Sequence, residues 1–298
     1  MCPRSRWHAA LALLLAVLCA PHLAAAPRAS FQARKEVERV IRASGAEVAV
    51  AFRTLDGKSE LFIQPELTFH AASTMKIAVM IELFRQARAG KLRLDDPLPV
   101  KNEFYSLVDA STYHLDPADD SDSEVYKFVG KTMALRQLCE AMITVSSNLA
   151  ANLLIEKLGV ENIRGTLHRL GAGGMQVRRG VEDGKAYAQG INNTTTARAL
   201  LMLLEAIAHL RAVDAASSRQ MIEILKRQKL NEAIPAGLPP ETAVAHKTGT
   251  ITKIHHDAAI VYARRPFVLV ILVRGISDQK QSAALMAEIT RILYQAVE

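Results

Sequence analysis

Apolar and polar positions follow two different periods along the chain, and the change of period separates sheet-forming ends from a helical middle. From Phe31 to Ser44 the residues Val37, Val40 and Ile41 fall on one side of a helix. Glu47 to Leu55 is apolar and β-branched, Asp56-Gly57 supplies a turn, and Glu60 to Gln64 reads as the returning strand of a hairpin. At the other end, Thr242 to Thr248, Ala258 to Ala263 and Phe267 to Val273 are three apolar runs of strand length, followed by a closing helix from Gln279 to Val297. Between the ends the period is helical. A buried helix begins close to Ser73, with Ile77, Met80, Ile81 and Phe84 at helical spacing. Further helices are predicted over Met133 to Ile143, Ser147 to Leu158 (closed by Gly159), Val160 to Leu170 (closed by Gly171), Thr194 to Leu210 and Asp214 to Gln228. Gly90 to Pro99 reads as a loop, residues 101 to 127 as a polar, acidic surface excursion, and Gly171 to Asn193 as a glycine-rich loop of functional length.

The economical architecture is α+β: an antiparallel sheet built from both chain ends, flanked by helices, with an all-helical domain inserted between its second and third strands. The expected division is residues 27–65 and 213–298 for the sheet domain and 66–212 for the helical one. Residues 1–26 read as an export signal, since Arg4 and Arg6 precede the apolar run Ala9 to Ala20, and Ala24-Ala25-Ala26 offers a cleavage site. The run is short for a membrane span, and Leu18 before Cys19 is bulkier than a lipidation site accepts, so no stable membrane anchor is expected.

Composition narrows the field further. With 298 residues, half of them hydrophobic, the chain can bury a real core. Loss of Arg4 and Arg6 takes the formal charge from +7 to +5, and the remaining cations are scattered, which speaks against nucleic acid. Cys2 and Cys19 leave with the signal, so Cys139 remains alone as a core thiol and no intrachain disulfide can form.

Three short motifs carry the chemistry. In Ser73-Thr74-Met75-Lys76 the serine stands at a helix mouth with the lysine three residues on, on the same helix face. A lysine desolvated among apolar walls can take the proton of a serine hydroxyl, and the unpaired N–H groups of a first helical turn suit a developing oxyanion. Alone, the same four residues could be an ordinary cap and a solvated lysine. Ser146-Ser147-Asn148 lies where a turn meets a helix, and His246-Lys247-Thr248-Gly249-Thr250 ends an apolar strand. In that order and those contexts the three motifs define one constellation.

On these residues the chain resembles the penicillin-recognising serine hydrolases, and within them the class A β-lactamases. The text from Met142 to Leu154 and Asn193-Thr194-Thr195-Thr196, similar to the end of the family's omega loop, extend the resemblance over about residues 31 to 298. It implies the β-lactamase/transpeptidase-like fold. It also implies Ser73 as nucleophile, Lys76 as proton acceptor or relay, and Ser146 as donor to the leaving nitrogen. Asn148 would hold a substrate amide, Lys247 and Thr248 the substrate carboxylate, and the N–H groups of Ser73 and Thr250 the oxyanion. Gly249 would let the substrate lie against the strand. No cofactor and no metal are needed.

Departures from the family pattern sharpen the expectations. Glu182 is the omega-loop residue placed to activate water, with Arg179 to clamp the loop against an acid, but Lys185-Ala186 stands where the family has Leu-Asn. The water-positioning amide is then either missing or supplied from elsewhere, Asn192 being the candidate. Ser147 replaces the usual Asp of the second motif. The arginine that helps hold the substrate carboxylate in the family has no clear counterpart after Gly249; Lys253, His255 and His256 occupy that region, and His246, His255 and His256 are read as a satisfied polar cluster and not a metal site. The expected protein is a periplasmic or secreted monomer that hydrolyses a β-lactam amide, with a D-Ala-D-Ala carboxypeptidase or related peptidoglycan hydrolase as the alternative. A sensor that is acylated without turnover comes third.

Overall fold

The computed structural model describes residues 28–298, so the expected export signal lies outside the described residues. Five strands form one antiparallel sheet: β1 (Glu47–Thr54), β2 (Glu60–Ile63), β3 (Ala243–Ile251), β4 (Ile254–Tyr262) and β5 (Phe267–Arg274), in the order β2-β1-β5-β4-β3. The sheet is therefore built from both chain ends.

Alternation along the strands sends Val48, Val50 and Phe52 to one face and Ala49 and Ala51 to the other. The first face is covered by α1 (Arg28–Ser44) and the C-terminal helix (Gln279–Gln295), which pack on each other. The second faces the helical layer, so both faces are dry, and β5 reads as an unbroken apolar run. That layer contains α2 (Lys76–Arg88), α3 (Leu135–Thr144), α4 (Asn148–Leu158), α5 (Val160–Arg169), a one-turn α6 (Gly184–Ala188), α7 (Ala197–Ala208) and α8 (Ala215–Lys226). The C-terminal helix is α9. Helix α2 is buried from Lys76 to Phe84 with no exposed stripe, at the centre of the helical layer. Cys139 is buried in α3, where burial pushes its thiol up to about 12.

Three boundaries differ from the sequence expectation, each for a local reason. The helix expected from Thr194 begins at Ala197, because Thr194–Thr195 pairs with Phe69–His70 as a short antiparallel ribbon and the Thr196 side chain accepts from Ala199 N as the cap. The Lys-Thr-Gly motif lies inside β3, which continues to Ile251 before the turn at Thr252-Lys253. Strand β4 starts at Ile254 and not Ala258, since its polar residues find buried partners: His256 bonds with His70 O and Val273 N, and Asp257 with His246. The acidic excursion is flanked by one short ribbon, Pro97–Pro99 with Thr132–Ala134, and carries another, Phe104–Tyr105 with Thr112–Tyr113, and its acidic end turns back toward α4.

Candidate active site

The nucleophile turn is set by its neighbours. The His70 ring accepts from Ala72 N (3.0 Å), and Ala71 N donates to Asn193 O (2.8 Å), holding Ala72 at φ +46°. Ser73 follows in a 3-10 turn, Ala72–Met75, that feeds α2. Strand β3 passes so close that a Cβ on Gly249 would lie 3.1 Å from Ser73 N and 3.0 Å from Thr74 N. The missing side chain at 249 thus first serves the approach of strand to turn.

The second motif is a turn under strain. Ser146 has φ +63°, a conformation that costs a non-glycine residue about 1–3 kcal/mol. Ser147, not Ser146, caps α4, accepting from Ala150 N. Ser146 is thereby free to face the two buried lysines. Lys76 Nζ donates to Ser146 O (2.7 Å), Ser146 Oγ (3.3 Å) and Asn148 Oδ1 (2.7 Å). Lys247 Nζ donates to the same Ser146 Oγ (2.9 Å) and to Thr248 O (2.9 Å). The amines of residues 76 and 247 therefore meet at one hydroxyl.

Burial dominates the electrostatics. It brings the fully buried Lys76 down to about 7, with Asp120 and Glu182 pulling the other way. Burial and then the Lys76 ammonium hold Lys247 well below an ordinary lysine, while Asp257 opposes. A lysine brought near neutrality is a usable base at the nucleophile's helix.

The omega-loop residue also arrives. Glu182, at φ +62°, accepts from Asn148 Nδ2 (2.6 Å), so Asn148 joins Lys76 to Glu182 through the two ends of its amide. The Glu182 carboxyl stays open to the cleft, yet the surrounding protein removes enough water to raise it. The Asn148 bond opposes that shift and Asp120 and Asp119 reinforce it.

Arg179 holds the loop differently from expectation. It donates to Ile191 O (2.6 Å), Gly180 O (2.9 Å) and Asn192 Oδ1 (3.1 Å), clamping through carbonyl oxygens and without a direct bond to an acid. Asn192 is thus turned to Arg179. Lys185 binds Asp109 and Ser111, and Ala186 is buried.

The cleft is lined on one side by Ser73, Asn148, Thr248, Thr250 and His255, and continues past Glu182 and Tyr187. The Lys247 side chain lies fully buried behind Ser146. His246, His255 and His256 form no common centre. His246 bonds Asp257 and Asn231, His255 bonds Ser282 Oγ, and among the described residues no cluster of three metal-ligating side chains exists. Sequence reasoning missed Asp120, whose carboxylate accepts from Asn148 N and Leu149 N; the only available signal was its place in an acidic run.

Known proteins resemble the chain in sequence and in fold. The profile described as the β-lactamase enzyme family matches residues 32–297. A β-lactamase of Bacillus licheniformis is 30% identical over 241 residues, covering 78% of this chain and 74% of that protein. A β-lactamase of Citrobacter koseri is 26% identical over 90% of this chain and 89% of its own. The structure of an ancestral class A β-lactamase, for the last common ancestor of Gram-negative bacteria, superposes with a TM-score of 0.77 at 27% identity, covering 89% of this chain and 100% of that one.

Fold and relatives together define a serine hydrolase of β-lactamase type. The chain belongs to the β-lactamase enzyme family.

Proposed function

We propose that the protein is an exported, monomeric class A-type β-lactamase that is acylated on Ser73 and released by water. The cleft divides a sheet lobe, with the expected bounds 27–65 and 213–298, from a helical lobe, 66–212, and α8 of the sheet lobe completes the helical layer. Ser73 Oγ attacks the lactam carbonyl carbon and its proton passes to neutral Lys76. The N–H groups of Ser73 and Thr250 hold the oxyanion, a type of interaction contributing about 3 kcal/mol per donor. The C–N bond breaks as Ser146, bonded to both lysines, passes its proton to the nitrogen and takes the former Ser73 proton from Lys76 in its place. Lys247 and Thr248 receive the substrate carboxylate, and Asn148 the substrate amide.

Glu182 then takes a proton from the water that attacks the ester carbonyl, the C–Oγ bond to Ser73 breaks, and that proton returns to Ser73 Oγ, which restores the free serine and yields the ring-opened acid. The observation that carries the reading is the convergence of both lysines on the Ser146 hydroxyl. One observation favours a peptidase acting on a D-Ala-D-Ala terminus: the side-chain amide bonded to Glu182 is that of Asn148, outside the omega loop, while the loop's Asn192 oxygen and Asn193 are engaged by Arg179 and by backbone. Turnover of a chromogenic cephalosporin, with the intact mass of the protein followed in parallel, tests the proposal. Rapid colour without a lasting adduct is expected. A persistent adduct without colour, or slow colour with D-alanine release from a pentapeptide, would replace it with the sensor or the peptidase.

A further inference from the structure

The acidic excursion over residues 101 to 127 carries none of the three motifs, yet one dipeptide in it grips both sides of the second. Ser121 Oγ donates to Val145 O (2.8 Å), the carbonyl just before Ser146. Asp120 accepts from Asn148 N through both oxygens (3.0 and 2.9 Å) and from Leu149 N (3.0 Å), just after Ser147. The Tyr126 hydroxyl also donates to Asp120 (3.0 Å), fixing the carboxylate from its other side. Between these contacts sits Ser146 at φ +63°, a conformation that persists only when its surroundings determine it. Ser147 satisfies only Ala150 N of the α4 first turn, so the amides of Asn148 and Leu149 take their acceptor from the excursion.

We propose that Asp120, assisted by Ser121, is a positioning residue for acylation: it fixes the strained turn that presents Ser146 and Asn148 to Lys76 and sets a negative charge facing that amine. The inference rests on Ser73, Lys76 and Ser146 being the acylating group. The charged groups facing Lys76 are Asp120, Glu182 and Lys247, and those facing Glu182 are Asp119, Asp120 and Lys76. Tyr126 faces Asp120, which raises its phenol behind burial. Removing the Asp120 charge makes protonated Lys76 less favourable, so Lys76 loses its proton at lower pH.

Asp120→Asn and Ser121→Ala in the mature chain test this. The rate of acylation by benzylpenicillin is followed by quenched intact-mass measurement across pH, and the Lys76 titration by NMR of protein labelled with ε-13C lysine. Asp120→Asn is expected to slow acylation roughly tenfold to a hundredfold, as a loss of positioning does, and to move the Lys76 midpoint and the acid limb to lower pH. Ser121→Ala is expected to slow acylation about threefold to tenfold while leaving the Lys76 midpoint in place. A lowered melting temperature in Asp120→Asn with wild-type acylation and an unmoved midpoint would reduce Asp120 to a helix cap and overturn the proposal. If Asp120→Asn does not fold, Ser121→Ala decides alone, and unchanged acylation overturns it. If wild-type protein is never acylated, the functional reading fails and this inference with it, whereas acylation of wild type that Asp120→Asn leaves unchanged overturns this inference alone.

Discussion

Replacing Lys76 with methionine tests the electrostatics of the site without any substrate. A lysine titrates near 10.5 in an unfolded chain, and burial brings Lys76 to about 7 in the fold. Below pH 7 both states carry the proton and the folded one bears the full penalty. Between pH 7 and 10.5 the unfolded chain binds the proton and the folded protein does not, so stability rises with pH. The two values give a penalty of about 4 kcal/mol at pH 7 and about 1.5 kcal/mol at pH 9.5. Methionine has similar length, carries no charge, and lacks the bonds to Ser146 O and Asn148 Oδ1 at either pH. Lys247 remains in both proteins, and losing the Lys76 charge relieves it, which enlarges the difference instead of reversing it. Equilibrium urea unfolding at pH 7 and 9.5 should therefore show wild type gaining about 3 kcal/mol relative to Lys76→Met. A relative gain below about 1 kcal/mol would refute the assignment of Lys76 as a buried amine titrating near neutrality.

Two further substitutions separate the steps of the reaction. Glu182→Gln should leave acylation largely intact and slow release by about a hundredfold or more, so that an acyl-enzyme accumulates in the mass spectrum. Because burial raises the Glu182 carboxyl, the acid limb of wild-type turnover should lie above the usual glutamate range, where the base first loses its proton. Unchanged turnover in Glu182→Gln would remove this residue from the mechanism. Gly249→Ala puts a methyl about 3 Å from two backbone amides of the nucleophile turn, and should slow acylation roughly tenfold in a stopped-flow assay by displacing the Ser73 N–H. Wild-type rates there would mean that strand and turn can separate without consequence.

Much of this was legible because its signals are local. The period of two in Val48 to Phe52, the helical spacing after Ser73 and the glycines closing α4 and α5 are each set by a few neighbouring residues. What escaped depends on partners distant in sequence. His255, His256 and Asp257 interrupt the apolar pattern of β4, and only the carbonyl of His70, the amide of Val273 and the His246 ring make their burial favourable. Asp120 reads as one acid among several; its role depends on the excursion folding back over the start of α4. The Lys-Thr-Gly motif was legible as a motif but not as mid-strand, since Thr250 and Ile251 continue a ladder set by β4. Glu182 was nameable from its loop, while its tie to Lys76 through Asn148 was not.

The central claim is that the Ser73 hydroxyl forms the bond to substrate. Peptide mapping of the Glu182→Gln protein after exposure to benzylpenicillin tests it most directly. The account predicts a single ring-opened penicilloyl group on the peptide containing Ser73, and none when Ser73→Ala is added; an adduct on any other residue, or one that survives the loss of Ser73, would contradict it.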